Sequence, residues 1–298
     1  MKSILKWGLA AVIAAGTLLP SAAFAEGFKD VKETDTHYDN ILIAQELGIL
    51  SGYPDGTFRP NQKLTRANVI KALGKFELEM AEKTMDTYPV AGVKPFRDIP
   101  PTSRDQELYK LSLVVKAAGI FDGDPNNDAK PANLMSRQQM AKVLVNAFWL
   151  EDLEGVDADV RDLDKAAPYF RDQIKILSEN SVTNVTEFRP TETTSRAQFA
   201  SFLVRSFDAM LAAPIESVID PEPVTTTLGV EPELPESVEV VLTNGIIAET
   251  YVEWDTSGWN LSEVGRYTIT GEIWDADWVI ELEVIVDDVR HTDPVVEK

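Results

Sequence analysis

The sequence predicts a multidomain chain, mainly α over its first two thirds and all-β over the last third. Three observations carry this. A turn-rich segment followed by a hydroxyl–Arg pair recurs three times at a period of roughly 60 to 70 residues. Apolar residues on either side of each turn recur at helical spacing. From Val238 onward apolar residues alternate instead, and Asn244-Gly245 sits where a hairpin turn belongs.

In chain order, residues 1–25 read as a secretory signal peptide. Lys2 and Lys6 form a basic start, Leu9 to Leu19 an apolar stretch too short for a comfortable membrane span, and Ala23-Phe24-Ala25 a cleavage site. The three repeats are assigned to 26–90, 91–155 and 156–212. They open with Phe28-Lys29-Asp30, Phe96-Arg97-Asp98 and Val160-Arg161-Asp162. The first turn runs from Gly52 to Pro60 and the second from Gly123 to Pro131. The third ends in Glu187-Phe188-Arg189-Pro190. Gly, Pro, Asp and Asn supply the backbone angles and local hydrogen bonds that such turns need. Phe58 and Phe188 are expected to tuck two of the turns onto the core.

After each Pro comes Thr65-Arg66, Ser136-Arg137 or Ser195-Arg196. Ser136 with Gln139 and Ser195 with Gln198 fit a capping box, and Thr65 with Asn68 is a weaker version. Each Arg then falls at the first helical position, where the helix dipole disfavours a cation. Repeating that unfavourable choice three times points to an anion receptor built from a helix start and a guanidinium. An inter-repeat ion pair is the structural alternative.

Residues 213–233 are rich in Pro, Thr and acid and read as an extended linker. Alternation over 234–288 predicts a small antiparallel β-sandwich, and 289–298 a polar tail.

Composition narrows the function. The formal net charge is −21, which argues against nucleic acid as a partner. From Ala213 onward there are 20 acidic and 3 basic residues. There is no Cys, so neither a disulfide nor a lipid-modified N-terminal Cys is available. No second stretch approaches membrane-span length. His37 and His291 are far apart, which leaves no Cys–His or zinc chemistry. Asp122, Asp124, Asn126 and Asp128 faintly resemble a Ca²⁺ loop, but the Gly and the closing Glu are missing, with Asn133 in that place. No catalytic residue, cofactor site or metal site is expected.

The repeats resemble the S-layer homology domain family, on Phe28, Asp30, Gly48-Ile49, the Gly52-Tyr53-Pro54-Asp55-Gly56-Thr57-Phe58 turn, Pro60 and Thr65-Arg66-Ala67. The likeness extends from residue 28 to about 207 in three copies. It weakens in the second, where Asn126-Asn127-Asp128-Ala129 replaces the turn core, and in the shorter third, where Ser181-Val182 replaces Gly-Ile. The resemblance implies a pseudo-threefold helical bundle with grooves between the repeats. It implies non-covalent binding of a secondary cell-wall polysaccharide, often one ending in a ketal-pyruvylated amino sugar. It also implies a secreted, non-enzymatic protein of a Gram-positive wall or S-layer, with other S-layer subunits as the further partner class. On that footing the ligand residues are Arg66, Arg137 and Arg196, in that order, with Thr65, Ser136 and Ser195. Asp30, Gly52, Tyr53, Asp55, Gly56 and Gly123 complete the set, the glycines admitting the sugar close to the backbone. The β part resembles the bacterial Ig-like domains through Trp254 to Gly258 and Gly265 to Gly271. Two other roles remain open: an accessory subunit of a wall hydrolase, and an adhesin that uses the Ig-like module.

Overall fold

A computed structural model describes residues 27–288 except Asp275 and Asp277. The signal segment 1–25, the tail 289–298 and His291 lie outside the described residues. Two compact units are present, one ending at Ala213 and one beginning at Pro214.

The first unit contains six α-helices among its described residues: α1 (Tyr38–Glu46), α2 (Arg66–Met80), α3 (Gln106–Ala117), α4 (Arg137–Ala147), α5 (Arg171–Glu179) and α6 (Arg196–Leu211). Short 3₁₀ turns at Leu163–Lys165 and Pro168–Phe170 precede α5. The hydroxyl residues start helices α2, α4 and α6 as N-caps. The Thr65 N–H donates to Asn68 Oδ1 at 3.0 Å, the Ser136 N–H to Gln139 Oε1 at 3.2 Å and the Ser195 N–H to Gln198 Oε1 at 3.0 Å. Gly48, Gly119 and Ser181 end the first helix of each segment at φ of 68°, 73° and 56°. A left-handed residue there closes the last turn.

The helices pair in a closed cycle. Helix α2 packs on α3, α4 on α5, and α6 returns to α1. Backbone bonds close the same cycle at the centre. The Leu64 N–H donates to Thr194 O (3.1 Å), Met135 to Leu64 (2.9 Å) and Thr194 to Met135 (3.0 Å). Isolated bridges Lys63–Ser195, Thr65–Leu134 and Ser136–Thr193 flank these bonds. Phe58, Phe96, Phe148, Phe188 and Phe199 are fully buried in the unit.

The expected pseudo-threefold helical bundle is therefore corrected. The unit is mixed: short helices surround a centre of extended bridges and turns. The starts of α2, α4 and α6 spend their first N–H groups on another segment's backbone, which places extended chain at the centre of the helix pairs.

The second unit is one six-stranded sheet: β1 (Ile215–Val218), β2 (Val224–Thr227), β3 (Ser237–Leu242), β4 (Ile247–Asp255), β5 (Gly265–Ile273) and β6 (Val279–Asp287). The order is β1-β3-β4-β5-β6-β2, antiparallel except for the parallel β2–β6 pair. This also differs from the expected antiparallel sandwich. The stretch read as a linker supplies β1 and β2, because β-branched runs such as Val224-Thr225-Thr226-Thr227 favour pleated pairing once an edge is offered. Asn244-Gly245 does turn the β3–β4 hairpin, with Gly245 at φ 74°. Ile269, Leu282 and Val284 form a core against Trp254 and Trp259. Gly271 makes room for Trp254, whose ring lies 2.6 Å from where a Cβ would stand.

Candidate functional site

Each opening aspartate clamps its own turn. The Asp30 carboxylate accepts the N–H groups of Phe58 and Arg59 at 2.7 and 2.8 Å. Asp98 accepts those of Ala129 and Lys130 at 2.8 and 2.7 Å. Asp162 accepts those of Phe188 and Arg189 at 2.8 and 2.9 Å. The clamp presents one carbonyl per turn toward another segment, where the helix-start arginine takes it. Arg66 Nε donates to Ala129 O at 2.5 Å, Arg137 Nε to Phe188 O at 2.5 Å and Arg196 Nε to Phe58 O at 2.8 Å.

The guanidiniums stack on aromatic rings. Arg137 lies 4.7 Å from the Phe188 centroid, Arg196 4.5 Å from Phe58, and Arg66 4.6 Å from Phe121. The middle turn has Ala129 where the others have Phe58 and Phe188. Phe121, set edge-on to Phe96 at 6.0 Å, supplies the missing ring.

The backbone of the helix starts is not open to a ligand. The N–H groups of Arg66, Arg137 and Arg196 donate to Asn133, Glu192 and Gln62 carbonyls at 2.8, 2.8 and 2.9 Å. The next residues, Ala67, Gln138 and Ala197, donate to Pro131, Pro190 and Pro60 at 3.0, 2.9 and 3.0 Å. Asn68 and Gln198 N–H groups go to the Thr65 and Ser195 hydroxyls, each at 3.3 Å. At α2 and α6 the leading helix N–H groups are thus taken, so an acid there must be met by side chains.

The three arginines differ in access. Arg137 and Arg196 are only 9% and 8% exposed, and Arg196 Nη2 also donates to Ser51 O at 2.8 Å. Arg66 is half-buried, and among the described residues its two terminal nitrogens have no hydrogen-bond partner. It borders an open cleft of about 730 Å³. Phe121 and, from the middle turn, Gly123 and Asp124 form one wall of this cleft. Lys130 and Lys142 bring two more cations, and Tyr169, 65% exposed, closes the far side. Three segments therefore meet there.

Charge in the cleft is balanced locally. Burial pulls the Arg66 guanidinium below its ordinary pKa, opposed by Asp124 and Asp98. Burial also opposes the Lys142 charge, but hydrogen bonds with Asp122 and Tyr169 outweigh it and leave the ammonium above its ordinary value. Lys142 lies 2.6 Å from Asp122 and 4.5 Å from the Tyr169 ring centroid. Lys130 pairs with Asp124 at 2.9 Å. That bond, with N–H groups from Asp128 and Asn126, holds the Asp124 carboxyl at about 2. In each pair one partner is about half exposed, Lys130 at 50% and Asp122 at 57%, and so within reach of a ligand acid.

Of the residues expected from sequence, the structure brings Arg66 and Gly123 to the cleft. Thr65, Ser136 and Ser195 are helix caps, and Asp30 is the first turn's clamp. Gly52 and Gly123 make room for aromatic rings. A Cβ would stand 2.3 Å from the Phe28 ring at Gly52 and 2.7 Å from the Phe96 ring at Gly123, where φ is also 80°. Gly56 likewise has φ 80°. Asp55 accepts from the Thr57 hydroxyl and Arg59, which hold its carboxyl at about 2. Tyr53 donates to Gln62 at 3.0 Å. Lys130, Lys142 and Tyr169 line the cleft without a motif of their own; the one sequence signal is the basic residue that precedes each of Pro60, Pro131 and Pro190.

Two segments of the helical unit and part of the β unit are similar to known families. The S-layer homology domain model matches residues 27–69 and 161–200, and the model for the bacterial Ig-like domain (group 4) matches 219–275. An "S-layer protein" of Bacillus thuringiensis subsp. finitimus is 26% identical over 230 residues, covering 76% of this chain and 26% of the relative. A "Surface-layer 125 kDa protein" of Lysinibacillus sphaericus is 30% identical over 162 residues, 53% of this chain and 13% of the relative. An uncharacterized cell wall amidase of Bacillus anthracis is 27% identical over 156 residues, 49% of this chain and 26% of the relative. The chain spans about a quarter of the length of the Bacillus thuringiensis surface-layer protein it matches.

Proposed function

We propose that this chain anchors itself without a covalent bond to the Gram-positive cell wall, as an S-layer or S-layer-associated protein, by holding a wall polysaccharide in the Arg66 cleft. The observation that carries the proposal is a half-buried guanidinium with unpartnered terminal nitrogens facing an open, aromatic-walled cleft. Such a group accepts a sugar-borne acid in charge-assisted, two-point geometry. Tyr169 offers a flat apolar surface for a sugar ring beside it. A pyruvylated amino sugar has the required parts: a compact carboxylate on a ring with one apolar face.

The middle segment, 91–155, is on this reading a third repeat. Its Asp98 clamp, Ser136 cap and Arg137 staple reproduce the bonds of the two matched segments. The division into 26–90, 91–155 and 156–212 follows. The chain is a secreted protein of the wall or S-layer. It is structural, not catalytic: the S-layer relative aligns over three quarters of it and the amidase over half. Other S-layer subunits are its second class of partner.

The full chain should co-sediment with purified wall sacculi, and removing pyruvyl groups from their polysaccharide should abolish that. Undiminished binding to depyruvylated walls would mean that another feature of the glycan is read. No binding to intact walls would end the anchoring reading.

A further inference from the structure

Three residues in the helical unit carry an unexplained backbone cost. Arg59, Lys130 and Arg189, the basic residues before Pro60, Pro131 and Pro190, adopt φ of 59°, 53° and 55°. Gly or Asn holds the left-handed region more cheaply than a long-chain residue does. The cost is imposed on each turn alike, since Asp30, Asp98 and Asp162 fix the N–H groups of these residues. A repeated backbone outlier needs a reason in the side chain it aims.

Local ion pairing is not that reason, because the acid partner changes from turn to turn. Arg59 pairs with Asp55, four residues earlier; Lys130 with Asp124, six residues earlier; Arg189 with Glu192, three residues later, at 3.9 Å. The Arg59 and Arg189 pairs are exposed, and such pairs return little, while Lys130 is itself half-exposed above a largely buried Asp124. What stays constant is a cation beside the carbonyl that receives the helix-start arginine. Lys130 lines the same cleft as Arg66. Arg59 stacks on Tyr53 at 3.8 Å, and Arg196 meets the same ring at 5.0 Å.

We propose that Lys130, the left-handed basic residue of the middle turn, is the second cation of the open cleft and works with Arg66 to hold the polysaccharide acid there. The inference rests on the anchoring reading above and adds a residue to it. Asp98 shapes the turn, Arg66 fixes one side of the acid, and Lys130 closes the other after leaving the Asp124 carboxylate.

The test uses the full chain with Lys130→Asn, Lys130→Gly and Lys130→Arg, against sacculi retaining their polysaccharide and sacculi stripped of it. Asn and Gly suit the backbone, so the unfolding temperature should hold or rise. Binding to intact sacculi should weaken about ten-fold or more, the loss of one charge-assisted contact. Lys130→Arg should bind like the wild type, and Lys32→Asn, an equal change of charge at an exposed site outside the cleft, should have no effect. Wild-type-like binding by Lys130→Asn and Lys130→Gly would overturn the second-cation role and leave anchoring standing. Failure of the wild type to bind would overturn both.

Discussion

The buried arginines separate stability from binding, and alanine substitution should rank them in opposite orders for the two. Arg196→Ala removes two hydrogen bonds from a charged donor, to Phe58 O and Ser51 O, both at 2.8 Å. Bonds to charged groups are worth about 1.5–3 kcal/mol each, and the carbonyls left behind are only partly rehydrated. Stacking on Phe58 is lost as well. A cost of roughly 3–5 kcal/mol follows, or a fall of about 6–20 °C in Tm for a unit of this size. Arg137→Ala loses one such bond and contact with Phe188 and Phe202, about 2–3 kcal/mol. Arg66→Ala loses one bond at a half-exposed site, about 1–2 kcal/mol. Calorimetry on the three variants should therefore place Arg196→Ala lowest and Arg66→Ala nearest the wild type, while sedimentation with sacculi should find Arg66→Ala the weakest of the folded variants. If Arg196→Ala melted with the wild type, or Arg66→Ala fell as far as Arg196→Ala, the division into staples and receptor would be wrong.

Other perturbations probe other parts of the molecule. The His37 ring, 2.7 Å from the Ser201 hydroxyl where α1 meets α6, is held below its ordinary value of 6.5, first by burial and then by Arg205. The unfolded chain takes up the proton first, so this contribution is full above pH 6.5 and is lost as pH falls below it. Melting scans from pH 7.5 to about 5 should show a slope that His37→Gln reduces. Glu77 accepts from the Tyr88 hydroxyl at 2.5 Å while its other oxygen is buried without a partner, and burial raises its carboxyl above 4.5. Its charge therefore costs stability as pH rises past 4.5, and Glu77→Gln should raise the neutral-pH stability by about 1 kcal/mol in urea titration. Gly271→Ala forces a Cβ to 2.6 Å from Trp254 and Val252. It should cost about 1–3 kcal/mol in the β unit alone, leaving the helical unit's transition in place.

The helix starts were legible because a capping box is local: hydroxyl and amide partner lie three residues apart. The bonds that shape the site are not local. Asp30 reaches Phe58 across 28 residues, Arg66 reaches Ala129 across 63, and Arg196 reaches Phe58 across 138. Periodicity says nothing about such partners. Neither the clamp that Asp30 places on its turn nor the burial of Arg137 and Arg196 could be read from spacing. The same blindness hid β1 and β2. A Thr-rich stretch without alternation resembles a linker until β6 offers an edge to pair with.

The cyclic arrangement also separates the likeness of a whole repeat to the family pattern from the access of the groove it lines. Turn and helix start within one repeat serve different grooves. The well-matched first turn, Gly52 to Pro60, lies against Arg196 of the third segment. Arg66, from the same first segment, uses the divergent middle turn. The open cleft thus joins the arginine of the segment closest to the pattern with the turn furthest from it. Loss of the aromatic at Ala129 is made good by Phe121 from the end of the preceding helical stretch. A smaller residue beside the accepted carbonyl, with the ring supplied from elsewhere, goes with the half-buried Arg66. The two turns that keep Phe58 and Phe188 cover Arg196 and Arg137 almost completely. Divergence of the middle turn, on this geometry, goes with the open cleft at Arg66, and Ala129→Phe should close it: Ala129 is fully buried, so overpacking should cost about 1–3 kcal/mol, and a variant that still melts cooperatively should lose binding to sacculi, whereas retained binding would show that the cleft owes its opening to something else.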